Sequence, residues 1–309
     1  MHLKNSKIIV IKIGSSLLVG KNRKIRSKWL SSFAKDIKKL RSNNKKVVIV
    51  SSGAIALGCK KMNYNKTNLK LDKSQAIASI GQIELMNLFS QTFSKYKINI
   101  SQILLTLDDT EERRRSINAK RTFENLFQLD YIPIVNENDT IATTEIKYGD
   151  NDRLAARVAQ ISDSDFLILL SDVAGLYTSN PKKNKSAKLL KFVEEIDKKI
   201  LKMASMETNL YGTGGMKTKL EAAKIAMSSG CSTIICKGNR KNPIQKYFKN
   251  NHGTVFISKK KGTNNIKNWI AGTVKPSGKV IVDSGAKLAL KNGASLLPIG
   301  VMSVFGSFL

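Results

Sequence analysis

An α/β fold is what this sequence predicts: a mainly parallel central sheet with helices on both faces, making a three-layer sandwich. Three observations carry the prediction. Short apolar runs such as Ile8-Ile9-Val10-Ile11 and Phe166-Leu167-Ile168-Leu169-Leu170 lack polar alternation, as strands buried on both faces do. Between these runs apolar residues recur at helical spacing, and strands alternating with helices imply a parallel sheet. The predicted strands also end in polar or glycine-rich residues, where ligands of open α/β sheets bind.

Residues 7–13 form the first predicted strand, closed by the turn Gly14-Ser15-Ser16. Ile25, Trp29, Phe33, Ile37 and Leu40 then mark a helix with lysines between its apolar positions. Residues 47–51 form a second buried strand ending in Ser52-Gly53-Ala54, and a helix with a long, partly polar segment leads to about Tyr96. Residues 100–105 read as a third strand. Residues 111–129 read as a helix whose Arg113, Arg114 and Arg115 are a solvated face. Residues 131–135 are a short strand feeding Asn136-Glu137-Asn138-Asp139. Residues 152–161 are helical, residues 165–170 a fully apolar strand, and residues 232–236, after the helix that follows Lys219, the last core strand. At residues 272–278 the pattern gives way to linker-like residues, dividing the chain into 1–272 and 273–309. The second piece is too short to close a core unaided, since below roughly 40 residues extra staples are usually required.

Composition narrows the function. No apolar run approaches the roughly 20 residues of a membrane span, and the N-terminus carries no cleavable signal pattern, so a cytoplasmic protein without a membrane partner is expected. The cysteines, Cys59, Cys231 and Cys236, are odd in number and contain no Cys-x-x-Cys pair, which argues against disulfides and zinc. His2 and His252 are the only histidines, so Ser-His-Asp chemistry is nearly excluded. The net charge of +30 raises a nucleic-acid reading. Its lysines are spread over nearly every segment, however, without a basic stripe interleaved with aromatics. That describes a solvated basic surface, with room for non-specific nucleic-acid contact.

The stretch Tyr211-Gly212-Thr213-Gly214-Gly215-Met216-Lys217-Thr218-Lys219 runs into a strong helix former. Glycine-rich backbone N–H groups, a helix N-terminus and two lysines outline a phosphate site. It is neither a P-loop nor Gly-x-Gly-x-x-Gly, and a flexible loop before a surface helix is the bland alternative. Lys12 interrupts an apolar strand near its carboxyl end, a costly place for an ammonium unless it meets an anion. The competing account is a lysine snorkelling from an edge strand. Asn136 to Thr140 and Gly149-Asp150-Asn151-Asp152 form a second polar cluster able to bind an amino group, orient lysines or hold Mg²⁺, or serving merely as turns and caps.

Ser171-Asp172-Val173-Ala174-Gly175-Leu176-Tyr177 resembles the nucleotide-binding segment of the amino acid kinase superfamily. Lys12-Ile13-Gly14-Ser15-Ser16, Ser51-Ser52-Gly53-Ala54 and Gly212 to Lys219 match it in the same order. Val135 to Asp139 followed by Gly149 to Asp152 is similar to its glutamate 5-kinase branch, from about Lys7 to Trp269. The tail, with Val282-Asp283-Ser284-Gly285-Ala286, resembles the start of a PUA module and stops before that barrel could be complete.

The resemblance implies an ATP- and Mg²⁺-dependent transfer to the side-chain carboxylate of L-glutamate, the first step of proline biosynthesis. It implies that Lys12 and Lys219 contact the transferring phosphoryl group and that Asp152 holds both lysines. Gly14, Ser15 and the loop Thr213, Gly214, Gly215, Met216, Lys217, Thr218, Lys219 would cradle ATP phosphates, with Ser171 and Asp172 beside the nucleotide. Ser52, Asn136, Asp139, Asp150 and Asn151 would bind glutamate, and no residue is assigned as a direct metal ligand. Serine replaces the commoner threonine at Ser15 and Ser171. The alternatives are a relative acting on N-acetylglutamate, aspartate, carbamate or uridylate, or an RNA-binding protein. A homo-oligomer is expected, with Leu85, Leu88 and Phe89 as an exposed helix face suited to an interface.

Overall fold

The computed structural model describes residues 6–20, 24–64, 69–141, 151–181, 183–205, 215–259 and 278–306. The chain divides into two compact units, Met1–Trp269 and Ile270–Leu309.

In the first unit an eight-stranded sheet runs in the order β3-β4-β2-β1-β5-β7-β8-β6. Its strands are β1 (Ile8–Ile13), β2 (Lys46–Ser51), β3 (Asn99–Leu105), β4 (Tyr131–Glu137), β5 (Phe166–Ser171), β6 (Phe192–Val193), β7 (Ser232–Lys237) and β8 (Gly253–Phe256). All neighbours are parallel except β7 and β8. The helices are α1 (Ser15–Leu18), α2 (Ser27–Ser42), α3 (Ala54–Lys61), α4 (Leu71–Ser94), α5 (Leu107–Glu111), α6 (Arg113–Gln128), α7 (Asn151–Ile161), α8 (Lys198–Ser205), α9 (Met216–Ser228) and α10 (Pro243–Asn250). Among the described residues, no helix is long and apolar enough to cross a membrane.

Strand side chains alternate between faces, so each buried strand feeds two cores. Ile9, Ile11 and Ile13 join Ile49, Ile134 and Ile168 beneath α2 and α4, through Trp29, Phe33, Leu85 and Phe89. Val10, Val50 and Leu169 face the other way, against Leu154 and Val158 of α7 and Leu220 and Ala223 of α9. Burying each large side chain contributes roughly 1.5–3 kcal/mol, which makes the sheet a stiff platform. Asp36, buried on α2, accepts hydrogen bonds from the Ile244 N–H (2.8 Å) and Gln245 Nε2 (2.8 Å), securing the start of α10. Burial raises its pKa, and these donors pull against that rise.

Several boundaries differ from the sequence reading. The partly polar stretch before Tyr96 is the 24-residue helix α4, whose apolar stripe was obscured by the polar residues on its outer side. Leu85 and Phe89 are fully buried and Leu88 packs against the same core, so they form no exposed interface face; on this helix Leu71 and Ile83 are exposed instead. The predicted helix at 111–129 is split: Glu111 closes α5, and the Glu112 carboxylate accepts from the N–H groups of Arg114 and Arg115 to start α6. β4 continues through Asn136 and Glu137, paired with Leu104 and Leu105. β7 is not the last core strand, because the four buried residues of β8 pair antiparallel with it. A four-residue strand is too short for periodicity to announce it.

In the second unit β9 (Gly278–Val282) pairs antiparallel with β10 (Val301–Gly306). Between them lies α11 (Ser284–Lys291), whose first turn is capped by the Asp283 carboxylate accepting from the Ala286 N–H at 2.7 Å.

Candidate active site

β1 is central, flanked by β2 on one side and β5 on the other, so the edge-strand account of Lys12 fails. Lys12 lies opposite Val50 and Leu169, one residue before the strand ends. Alternation puts it on the face of Val10, beneath the start of α7. There Lys12 Nζ meets Asp152 Oδ1 at 2.6 Å. Lys219, in the first turn of α9, donates to Asp152 Oδ2 at 2.9 Å. Two cations separated by more than two hundred positions in sequence thus share one carboxylate.

Asp152 is completely buried. Burial alone pushes its pKa upward, but the Lys12 and Lys219 ammonium groups outweigh that and hold it at about 2. Its place in the first turn of α7 adds the favourable end of a helix dipole. The Thr218 hydroxyl lies 3.4 Å from Asp152 Oδ2 and donates to the Gly215 carbonyl at 2.9 Å. The side chains of both lysines retain only about a tenth of their exposure, 12% for Lys12 and 9% for Lys219.

Around this centre lie two uncapped helix starts. Gly14 precedes α1 and Gly215 precedes α9, neither providing a side-chain cap. A Cβ built on either glycine would meet nothing within 4 Å, so both backbones border open space where an anion could approach. α9 begins at Met216, four residues earlier than the sequence reading, which places Lys217 and Lys219 inside the helix. Met216 buries its side chain in the core, leaving its backbone for any ligand, while Lys217 is exposed. Ser15, at the start of α1, is partly buried. Ser171 ends β5 on the lysine side, its hydroxyl donating to Asp172 Oδ1 at 3.1 Å. Asp172, Val173, Tyr177, Lys237 and Arg240 border a cavity of about 250 Å³. A larger cavity of about 960 Å³ around Asp36 and Lys39 touches none of the site residues expected from sequence. Size is a poorer guide than chemistry here, because the cationic pair and the glycine backbones are what an anionic ligand needs. Thr213, Gly214 and Asp150 lie outside the described residues.

A chain of amides crosses the strand ends from the start of α7 to α4. Asn151 Nδ2 lies within hydrogen-bond distance of the Ser51 carbonyl (2.8 Å), Ser52 Oγ (2.7 Å) and Asn136 Oδ1 (3.0 Å). Asn136 Nδ2 in turn donates to Gln82 Oε1 at 2.8 Å. Asp139 is partly buried in the turn beyond β4. Of the residues chosen from sequence, Ser52, Asn136 and Asn151 are directly joined. Gln82 was missed, although a glutamine between Ala78 and Leu85 on the buried stripe of α4 was the available signal.

The profile of the amino acid kinase family matches residues 7–237. The glutamate 5-kinase of Pelagibacter ubique is 64% identical over 308 residues, an alignment covering 100% of this chain and 84% of that protein. The chain belongs to the amino acid kinase family, and within it to the glutamate 5-kinases. The glutamate 5-kinase of Brucella abortus is 49% identical over 306 residues, covering 99% of this chain and 81% of that one. Solved structures of the amino acid kinase fold are similar at low identity. Giardia lamblia carbamate kinase bound to AMP-PNP has a TM-score of 0.59 at 16% identity, covering 83% of this chain and 100% of that one. The UMP kinase of Ureaplasma parvum has a TM-score of 0.55 at 16% identity, covering 82% and 99%.

Proposed function

We infer that this chain is an ATP-dependent kinase that phosphorylates the side-chain carboxylate of L-glutamate, giving L-glutamyl 5-phosphate and ADP in the first step of proline biosynthesis. The observation that carries the reading is the match to glutamate 5-kinases along essentially the whole chain, with 64% identity to one of them. The convergence of Lys12 and Lys219 on Asp152 supplies a physical reason for the activity.

The acceptor carboxylate, with an ordinary pKa of about 4.3, is already ionised at neutral pH and needs no general base. Near-absence of histidine is then no obstacle. One γ-carboxylate oxygen forms a bond to the γ-phosphorus as the bond to the β,γ-bridging oxygen breaks, and ADP leaves with that electron pair. The barrier lies in bringing one anion up to another, so fixed cations are the main requirement. In this reading Lys12 and Lys219 neutralise the migrating phosphoryl group. Asp152 fixes their positions without titrating, and the backbones at Gly14 and Gly215 receive the phosphate chain.

Among the described residues, no three His, Cys, Asp or Glu side chains gather into a metal cage. In this reading Mg²⁺ would be carried on the phosphates of ATP, where it would supply further charge neutralisation. The rest of the reading is a cytoplasmic homo-oligomer with an amino acid kinase domain over residues 1–272 and a linker and PUA-like segment over 273–309.

The test is incubation with Mg²⁺–ATP and, separately, L-glutamate, N-acetyl-L-glutamate, L-aspartate or carbamate, trapping acyl phosphate with hydroxylamine. Uridylate is followed by a direct nucleotide assay. Glutamyl hydroxamate is expected to dominate. Turnover of another acceptor without it would replace this reading.

A further inference from the structure

We propose that Gln82 is a specificity-determining residue of the amino-acid site, its side-chain NH₂ donating to the non-reacting α-carboxylate of the substrate. The inference rests on the glutamate kinase reading and adds to it a residue and a direction for the substrate.

The argument begins with one carbonyl. The Ser51 backbone oxygen can only accept, so the Asn151 side-chain atom 2.8 Å from it must be its NH₂ group. That NH₂ makes Asn136 Oδ1 the acceptor at 3.0 Å, which turns the Asn136 NH₂ toward Gln82 and makes Gln82 Oε1 the acceptor at 2.8 Å. Every amide orientation in the chain follows from the first. Two atoms are left over: Asn151 Oδ1, an acceptor, and Gln82 Nε2, a donor. Both are buried, and neither finds a partner among the described residues. Buried polar atoms of this kind call for an explanation, because an unmade hydrogen bond there is costly. A leftover donor and a leftover acceptor on one network are complementary to a carboxylate and an ammonium, the two groups of an amino-acid head.

Gln82 is also held rigidly. α3 and α4 cross with backbones in contact: a Cβ on Gly81 would stand 1.8 Å from the Ala54 carbonyl oxygen, and one on Gly58 would stand 2.1 Å from that of Ile77. This crossing brings α4 against the end of β2 and fixes the position of the residue after Gly81. The direction follows from the sheet. Lys12, Asp152 and Lys219 lie on the face of α7 and α9, whereas α4 packs on the opposite face through Leu85 and Phe89. A substrate whose reacting carboxylate sits at the lysines therefore presents its other end to Gln82.

The test compares Gln82→Leu and the isosteric Gln82→Glu with the unaltered full chain. The KM values for glutamate and ATP and the kcat are measured, with the inhibition constant of 4-aminobutyrate, which is glutamate without its α-carboxylate. Losing a hydrogen bond to a charged group predicts a rise in the KM for glutamate of about 10- to 100-fold. Gln82→Glu should exceed Gln82→Leu, because two carboxylates then face each other. The KM for ATP and the inhibition constant of 4-aminobutyrate should stay within about threefold, since neither ligand carries the carboxylate that Gln82 reads. An unchanged KM for glutamate in the folded Gln82→Glu protein, or equal weakening of glutamate and 4-aminobutyrate, overturns the assignment. Absence of glutamyl hydroxamate from the unaltered protein is a separate result that defeats the function itself.

Discussion

Replacing Asp152 by asparagine tests the centre of the molecule most severely. The side chain keeps its shape but loses the charge that two ammonium groups share at 2.6 and 2.9 Å. Removing one partner of a buried ion pair typically costs about 3–5 kcal/mol, because the remaining charge is left in a poor solvent. Here two like charges would be left facing each other. The pH dependence gives an independent figure. The Asp152 pKa falls from 3.8 to about 2 on folding, a difference worth on the order of 2–3 kcal/mol at about 1.36 kcal/mol per unit. The folded state binds the proton less readily than the unfolded state, so this contribution is fully present above about pH 4 and is lost as pH falls toward about 2. Urea unfolding of the two proteins between pH 2 and 7 should show Asp152→Asn weaker by several kcal/mol at pH 7, the gap closing below about pH 4. In the hydroxamate assay its kcat should fall by at least about 10²-fold, the scale of a lost preorganised charge. Stabilities within about 1 kcal/mol of each other at pH 7, with parallel acid limbs, would refute the electrostatic reasoning.

Lys12→Ala and Lys219→Ala should each lower kcat by about 10²- to 10³-fold with the fold intact by circular dichroism, and near-normal turnover in both removes the proposed phosphoryl contacts. Gly81→Ala sets two effects of opposite sign against each other: helix propensity favours alanine by roughly 0.5–1 kcal/mol, but the added methyl would stand 1.8 Å from the Ala54 carbonyl oxygen. The clash should win, destabilising the protein by at least about 1–3 kcal/mol in urea unfolding, and a rise in stability would show that α3 and α4 are not in backbone contact.

The long apolar strands were legible because burial on both faces leaves an unbroken run, as in residues 166–170, that no polar residue interrupts. Lys12 stood out for the same reason, as a charge inside such a run. Elements that lack a local signature were misread. β8 has four residues, and α4 hides its stripe among polar neighbours. Gln82 shows the limit most clearly: no local pattern singled it out, and only its contact with Asn136, which Asn151 orients, makes it part of the site.

By itself the sequence determined the alternation of strands and helices, the polar strand ends, and the cations and glycines able to meet phosphate, because each is a property of residues within a few positions of one another. Only the tertiary structure decided that Lys12 and Lys219 meet on the two oxygens of one buried carboxylate, and that Gln82 joins Asn136 from the opposite face. Those distances depend on strand order and helix crossing. Both are fixed by packing between segments far apart in the chain, which no local pattern records.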